Sequence, residues 1–178
     1  MTTQGSEPPP GGPGYGRFQV TVLVALRMVI GWHFLYEGIA KLTNPYWTSA
    51  GYLADAQWIL KGLALDVAAS PTAVTVVDYL NEYGLVLIGL GLLFGALTRV
   101  AAIAGVVLLA LYWLVAPPFP SFIYATPAEG SYLVVNKVLI EAVALLVVLA
   151  FPASRRFGLD ALFARGAGTA VPAPQAEA

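Results

Sequence analysis

Residues 27–41 read Arg27-Met28-Val29-Ile30-Gly31-Trp32-His33-Phe34-Leu35-Tyr36-Glu37-Gly38-Ile39-Ala40-Lys41 and close an apolar run that begins at Phe18. A run over 18–41 is long enough to cross a bilayer with tilt, for which about 20 residues suffice. It nevertheless holds four ionisable side chains. An Arg, Lys or Asp costs about 2.5–3.5 kcal/mol in hydrocarbon, so ionisable groups turn to a bundle interior and pair. His33, Glu37 and Lys41 are four apart and stack on one helix face. Glu37 precedes Lys41, the better order, and Lys41 also sits at the helix C-terminus. Asn44-Pro45 then stops the helix.

The composition agrees with a membrane setting. Of 178 residues, 58% are hydrophobic and 11% charged, with a mean hydropathy of +0.76. A soluble domain has about 45–50% apolar and about 25% charged residues. An ordinary soluble enzyme and a disordered protein are thereby excluded. Nine basic against ten acidic side chains leave no basic field for nucleic acid. With no cysteine, disulfides, CxxC chemistry, iron–sulfur clusters and thiolate zinc sites are excluded on this chain. One histidine rules out a bis-His haem within the chain and argues against a metal centre.

Three more spans are expected, over 82–97, 100–115 and 132–151. Ser70-Pro71 is a good N-cap and N1 pair and offers an earlier start for the second. Pro117-Pro118 stops the third and Pro152 the fourth. Tyr112, Trp113 and Tyr132 suit an interfacial aromatic belt. The fold expected over 17–165 is an all-α, four-helix up-down bundle. Residues 1–16, nine of them Gly or Pro, and residues 166–178 read as disordered tails. The head lacks a charged n-region and so does not read as a signal peptide.

The segment over about 46–80 is too long for a simple connection. Leu53, Ala56, Leu60, Leu63 and Val67 fall at helical spacing, with Tyr46, Trp47, Tyr52 and Trp58 suited to a headgroup layer. It reads as interfacial helices, or else as the roof of a site between the spans. Asp78 and Glu82 read as a solvated face at its end. The glycines of span one (Gly31, Gly38) and span two (Gly84, Gly89, Gly91, Gly95) read as helix-packing positions. Arg17, Arg99, Arg155, Arg156 and Arg165 fall on the side of the two termini. The positive-inside rule then puts both termini in the cytoplasm of a cell-membrane protein, with residues 42–81 outside.

The fourth span carries Asn136, Lys137 and Glu141. By helical rise, His33 lies about 22 Å from the inner start of span one and Glu141 about 13 Å below the outer surface. Asn136, Lys137, Glu141, His33, Glu37 and Lys41 are therefore expected to converge in the outer half, with Arg27 reaching Glu141 from below. A structural alternative pins span one to span four through an Arg27–Glu141 pair. The functional alternative is a cluster that holds an oxyanion or passes protons to a quinone head. In that reading Glu141, Glu37 and His33 are the catalytic candidates. Lys41, Lys137, Asn136 and Arg27 are the substrate-binding ones.

Together these patterns resemble a known family. Span one reads Arg27-x3-Gly31-x2-Phe34-x3-Gly38-x2-Lys41. Span two ends Gly89-x-Gly91-x3-Gly95-x2-Thr98-Arg99-x-Ala101. Span four reads Asn136-Lys137-x3-Glu141, followed by Gly158-Leu159-Asp160. Over about 20–163 this is similar to the DoxX/DoxD membrane proteins, and the long outer segment looks more like the DoxD branch. The resemblance implies a subunit of a thiosulfate:quinone oxidoreductase, which joins two thiosulfates into tetrathionate and passes the electrons to quinone. It implies no covalently bound cofactor, with quinone as electron acceptor. The implied partners are the bilayer, a second oxidoreductase subunit or soluble redox protein, and further copies of the chain. A non-catalytic anchor for soluble redox partners is a second reading. A small transporter is a third, with no inverted repeat to support it.

Overall fold

Every long apolar run forms a helix with recognisable ends. The computed structural model describes residues 15–125, 133–151 and 158–160. Residues 1–14, the expected tail 166–178, Tyr132, Pro152 and the arginines at 155, 156 and 165 lie outside the described residues. Six helices follow in order: α1 (Arg17–Leu42), α2 (Ala50–Ala54), α3 (Lys61–Ala68), α4 (Pro71–Phe94), α5 (Thr98–Val115) and α6 (Lys137–Ala150). Among the described residues all regular structure beyond one isolated bridge is helical.

The ends obey local chemistry. The backbone N–H of Gly16 donates to Oε1 of Gln19 at 2.9 Å, closing the start of α1. The Ser70 hydroxyl oxygen accepts from the Ala73 N–H and Pro71 takes the first position of α4, where its missing N–H costs nothing. The second apolar span therefore begins at Pro71, eleven residues before Glu82, and ends at Phe94 rather than at 97. Residues 71–80 leave the expected interfacial segment and belong to α4. Gly95 ends that helix at φ 64, a left-handed cap that only glycine adopts without strain.

Helices α1, α4 and α5 are long and apolar enough to cross a membrane. Helix α6 has 14 residues, about 21 Å of rise, against a hydrocarbon core of about 30 Å. The fourth apolar segment, expected from 132, becomes helical only at Lys137, because Asn136 caps it there. Its side-chain oxygen accepts from the Leu139 N–H at 3.0 Å.

The exterior is apolar and the interior partly polar, inverting a soluble fold. Trp32, Leu87 and Val107 are exposed, whereas Arg27 is 3% exposed. The core between α1, α4, α5 and α6 holds Phe34, Ile88, Leu92, Ala102, Leu109 and Leu145. Lipid-facing residues gain little from burial, so close packing must bind these helices. At Gly89 a Cβ would lie 2.5 Å from the Leu35 nitrogen, and at Gly31 2.9 Å from the Leu93 nitrogen. These pairs, with Gly38 against Val86, set α1 antiparallel to α4 at backbone contact. Gly84 meets nothing within 4 Å, so packing does not account for it.

Residues 46–68 pack onto the ends of α4 and α5. The Ser49 N–H donates to Oδ1 of Asp78 at 2.7 Å, so Asp78 ties this segment to α4 instead of forming a merely solvated face. The Tyr52 hydroxyl donates to the Tyr112 carbonyl at 2.7 Å. Trp58 stands edge-on to Trp113 and Phe119, with centroids 5.5 and 5.4 Å away.

Candidate functional site

His33, Glu37 and Lys41 of α1 gather where α1 and α5 end and α4 and α6 begin. Nδ1 of His33 lies 2.7 Å from Oε1 of Glu141. One turn further on, Lys41 Nζ donates to Oε2 of Glu37 at 2.7 Å. The helical spacing of four stacks His33, Glu37 and Lys41 into a ladder, and Glu141 meets its first rung from α6. Lys41 also stands 5.6 Å from the Trp47 ring centre, within cation–π range.

A cavity of about 110 Å³ opens among these groups. His33, Glu37, Lys41, Lys137 and Glu141 line it, with Phe34, Leu85, Leu109 and Val138 as apolar wall and Tyr112 beside them. Five of the seven candidate residues thus share one cavity. In a low-dielectric setting such charges act strongly on an enclosed group. The set can hold an anion between two ammonium groups and carry a proton along His33 and Glu141.

The other two candidates stand elsewhere. Asn136 is committed to capping α6. Arg27 does not reach Glu141, whose partner is His33. Its guanidinium lies against Gly95, where a Cβ would meet Nη1 at 2.8 Å. The cause is direction: helical side chains lean toward the N-terminus, and from residue 27 that carries the long arm away from the cavity.

At that opposite end, Asp160 accepts from the N–H groups of Leu97 at 2.8 Å and Thr98 at 3.0 Å. Its own N–H donates to the Gly95 carbonyl at 2.8 Å. A carboxylate here satisfies free N–H groups at the start of α5 and favours the positive end of its dipole. Burial pushes the Asp160 carboxyl up, but the Thr98 and Leu97 N–H groups and nearby Arg27 outweigh it and hold it below its ordinary range.

Sequence reasoning missed two members of the site. Tyr112 reads as a belt aromatic, yet its hydroxyl accepts from Nδ2 of Asn81 and it lines the charged cavity. Asn81 falls at the end of the expected outer segment, and its signal was the Ser70-Pro71 start, which places it inside α4. Burial also pushes the Tyr52 hydroxyl well above its usual range.

The fold and site define an integral membrane helical protein with a charged, partly open cavity at one end of its bundle. The DoxX family model matches residues 22–118, more than half of the chain, and the protein belongs to the DoxX family. The matched stretch holds His33, Glu37 and Lys41 and ends before Asn136, Lys137 and Glu141. No curated protein and no solved structure matches the chain.

Proposed function

We propose that this chain is the membrane subunit of an oxidoreductase that takes electrons from a small sulfur compound such as thiosulfate and delivers them to quinone. The observation that carries the reading is the cavity in which the His33–Glu141 and Glu37–Lys41 pairs meet Lys137. Joining two thiosulfates into tetrathionate releases two electrons, and reducing one quinone to quinol consumes those two electrons and two protons. The donor is a dianion and needs cationic partners, which Lys41 and Lys137 supply. The acceptor needs protons, which His33 and Glu141 relay, with Glu37 behind Lys41. The donor enters from the side of residues 42–68, outside the cell membrane, and both termini face the cytoplasm. A second subunit or soluble redox protein completes the enzyme. Membranes from cells with and without the gene, assayed for thiosulfate-dependent quinone reduction, test the reading. Activity that vanishes with the gene and returns with the wild-type chain supports it; activity indifferent to the gene overturns it.

A further inference from the structure

Tyr112 borders more than the charged cavity. A second cavity of about 270 Å³ lies beneath residues 47–52, walled by Lys41, Trp47, Ser49, Tyr52, Asn81 and Tyr112. A third, of about 300 Å³, has Leu53, Leu60, Leu63, Leu111 and Val115 in its walls. These two share Ser49, Tyr52, Asn81 and Tyr112.

Two polar atoms in that shared wall lack partners. Ser49 is 6% and Asn81 8% exposed, and neither Oγ of Ser49 nor Oδ1 of Asn81 has a hydrogen bond. A buried polar atom left unpaired costs about 1–3 kcal/mol, and native proteins rarely leave one. The neighbouring groups have partners of their own. The Ser49 N–H donates to Asp78, Asn81 Nδ2 donates to Tyr112, and Lys41 is answered by Glu37. The amide oxygen of Asn81 can only accept, so its missing partner is a donor. The Ser49 hydroxyl can donate or accept. Both groups are neutral, and the charge of Lys41 on this wall is matched by Glu37, so the missing donor to Asn81 need carry no charge.

We infer that the cavity bounded by Ser49 and Asn81 binds the hydroxyl head of an uncharged amphiphile, whose apolar chain lies in the adjoining cavity between α3, α4 and α5. The ligand hydroxyl donates to Oδ1 of Asn81 and accepts from the Ser49 hydroxyl. Lys41, Tyr112 and Val138 line both this cavity and the charged one. The site does not depend on the redox reading, since it concerns binding alone. Two membrane sources carry the same chemistry, a glycerolipid with a free hydroxyl and a quinol.

The test is photolabelling of the full chain in detergent with a diazirine-bearing dodecanol, against the same molecule as its methyl ether. The ether keeps the chain and an acceptor oxygen but loses the donor. The alcohol is expected to label peptides over 47–53, 77–81 and 108–115 about five-fold more than the ether, the effect of one hydrogen bond. Ser49→Ala keeps the backbone bond to Asp78 and should bring alcohol labelling down by a similar factor, with Asn81→Leu as the companion variant. Competition by dioleoylglycerol or by a short-chain quinol then tells the two sources apart. Equal labelling by the ether, unchanged labelling in Ser49→Ala, or displacement by neither competitor overturns the inference and leaves water as the occupant.

Discussion

Nδ1 of His33 and Oε1 of Glu141 stand 2.7 Å apart, joining α1 to α6 across the charged cavity. Glu141 is the more enclosed of the two, at 13% side-chain exposure against 42% for His33. A carboxylate so placed fixes the imidazole's orientation and supplies a proton acceptor at one end of the ring. If this pair serves the acceptor, Glu141→Gln keeps the shape and removes the proton chemistry. Thiosulfate-dependent quinone reduction is then expected to fall about 100-fold or more, the usual weight of a general acid–base group. The chain should still insert and fold. Normal turnover in folded Glu141→Gln would remove Glu141 from the machinery.

The two lysines are assigned to the anion, and their effect should appear in a different constant. Lys137→Ala is expected to raise the thiosulfate KM about ten-fold or more, the range of a hydrogen bond to a charged group. Steady-state assays at varied thiosulfate and saturating quinone measure it. A lower kcat at unchanged KM would place Lys137 with the proton path instead.

The sequence groups Arg27 with these residues, and the structure separates it. Arg27→Met is therefore expected to leave the thiosulfate KM within about two-fold, a change inside the noise of distant substitutions, while lowering stability at the other end of the bundle. A rise in KM matching that of Lys137→Ala would return Arg27 to the anion site.

Helix contact gives a prediction that needs no assay of function. A methyl at Gly89 meets the Leu35 backbone at 2.5 Å, and backbone cannot move aside as a flexible side chain can. Gly89→Ala should cost about 1–3 kcal/mol by overpacking. Gly84→Ala, with open space around it, should be neutral or slightly stabilising through helix propensity. Unfolding of both variants in mixed micelles compares them directly.

The contrast between these residues explains what the sequence could reveal. Span one was legible because its charges recur every four residues within an apolar run, and that period alone stacks His33, Glu37 and Lys41. Its convergence with Glu141 followed from depth along two helices. Arg27 was misplaced because depth says nothing of direction: its side chain leans toward the N-terminus and finds Gly95. Asn81, Tyr112 and Ser49 escaped notice for another reason. Each belongs to a different element: the packing of α4 on α5 joins Asn81 to Tyr112, and the folding of residues 46–68 onto them adds Ser49. Helix α6 was overextended because apolar residues before Asn136 resemble a span, whereas a single capping side chain decides where the helix starts.

Asp160 offers the last test, at the end of the bundle away from the cavity. Its carboxylate accepts from the Leu97 and Thr98 N–H groups, so the ionised form is the bonded one. Its carboxyl is held below the ordinary value of 3.8. A group lowered on folding contributes fully above its unfolded pKa and loses that contribution as pH falls through the folded one. The stabilisation from Asp160 should therefore be complete near neutrality and fade below about pH 4. Asp160→Ala is expected to lower stability by about 1 kcal/mol at pH 7, the scale of a lost helix cap. Thermal unfolding of wild type and variant across this range isolates the group, since every other carboxylate is common to both. The gap between the two curves should close as the solution is acidified. A gap that persists unchanged to pH 2.5 would mean that the Leu159–Asp160 backbone, through the bond to Gly95, holds this end rather than the carboxylate.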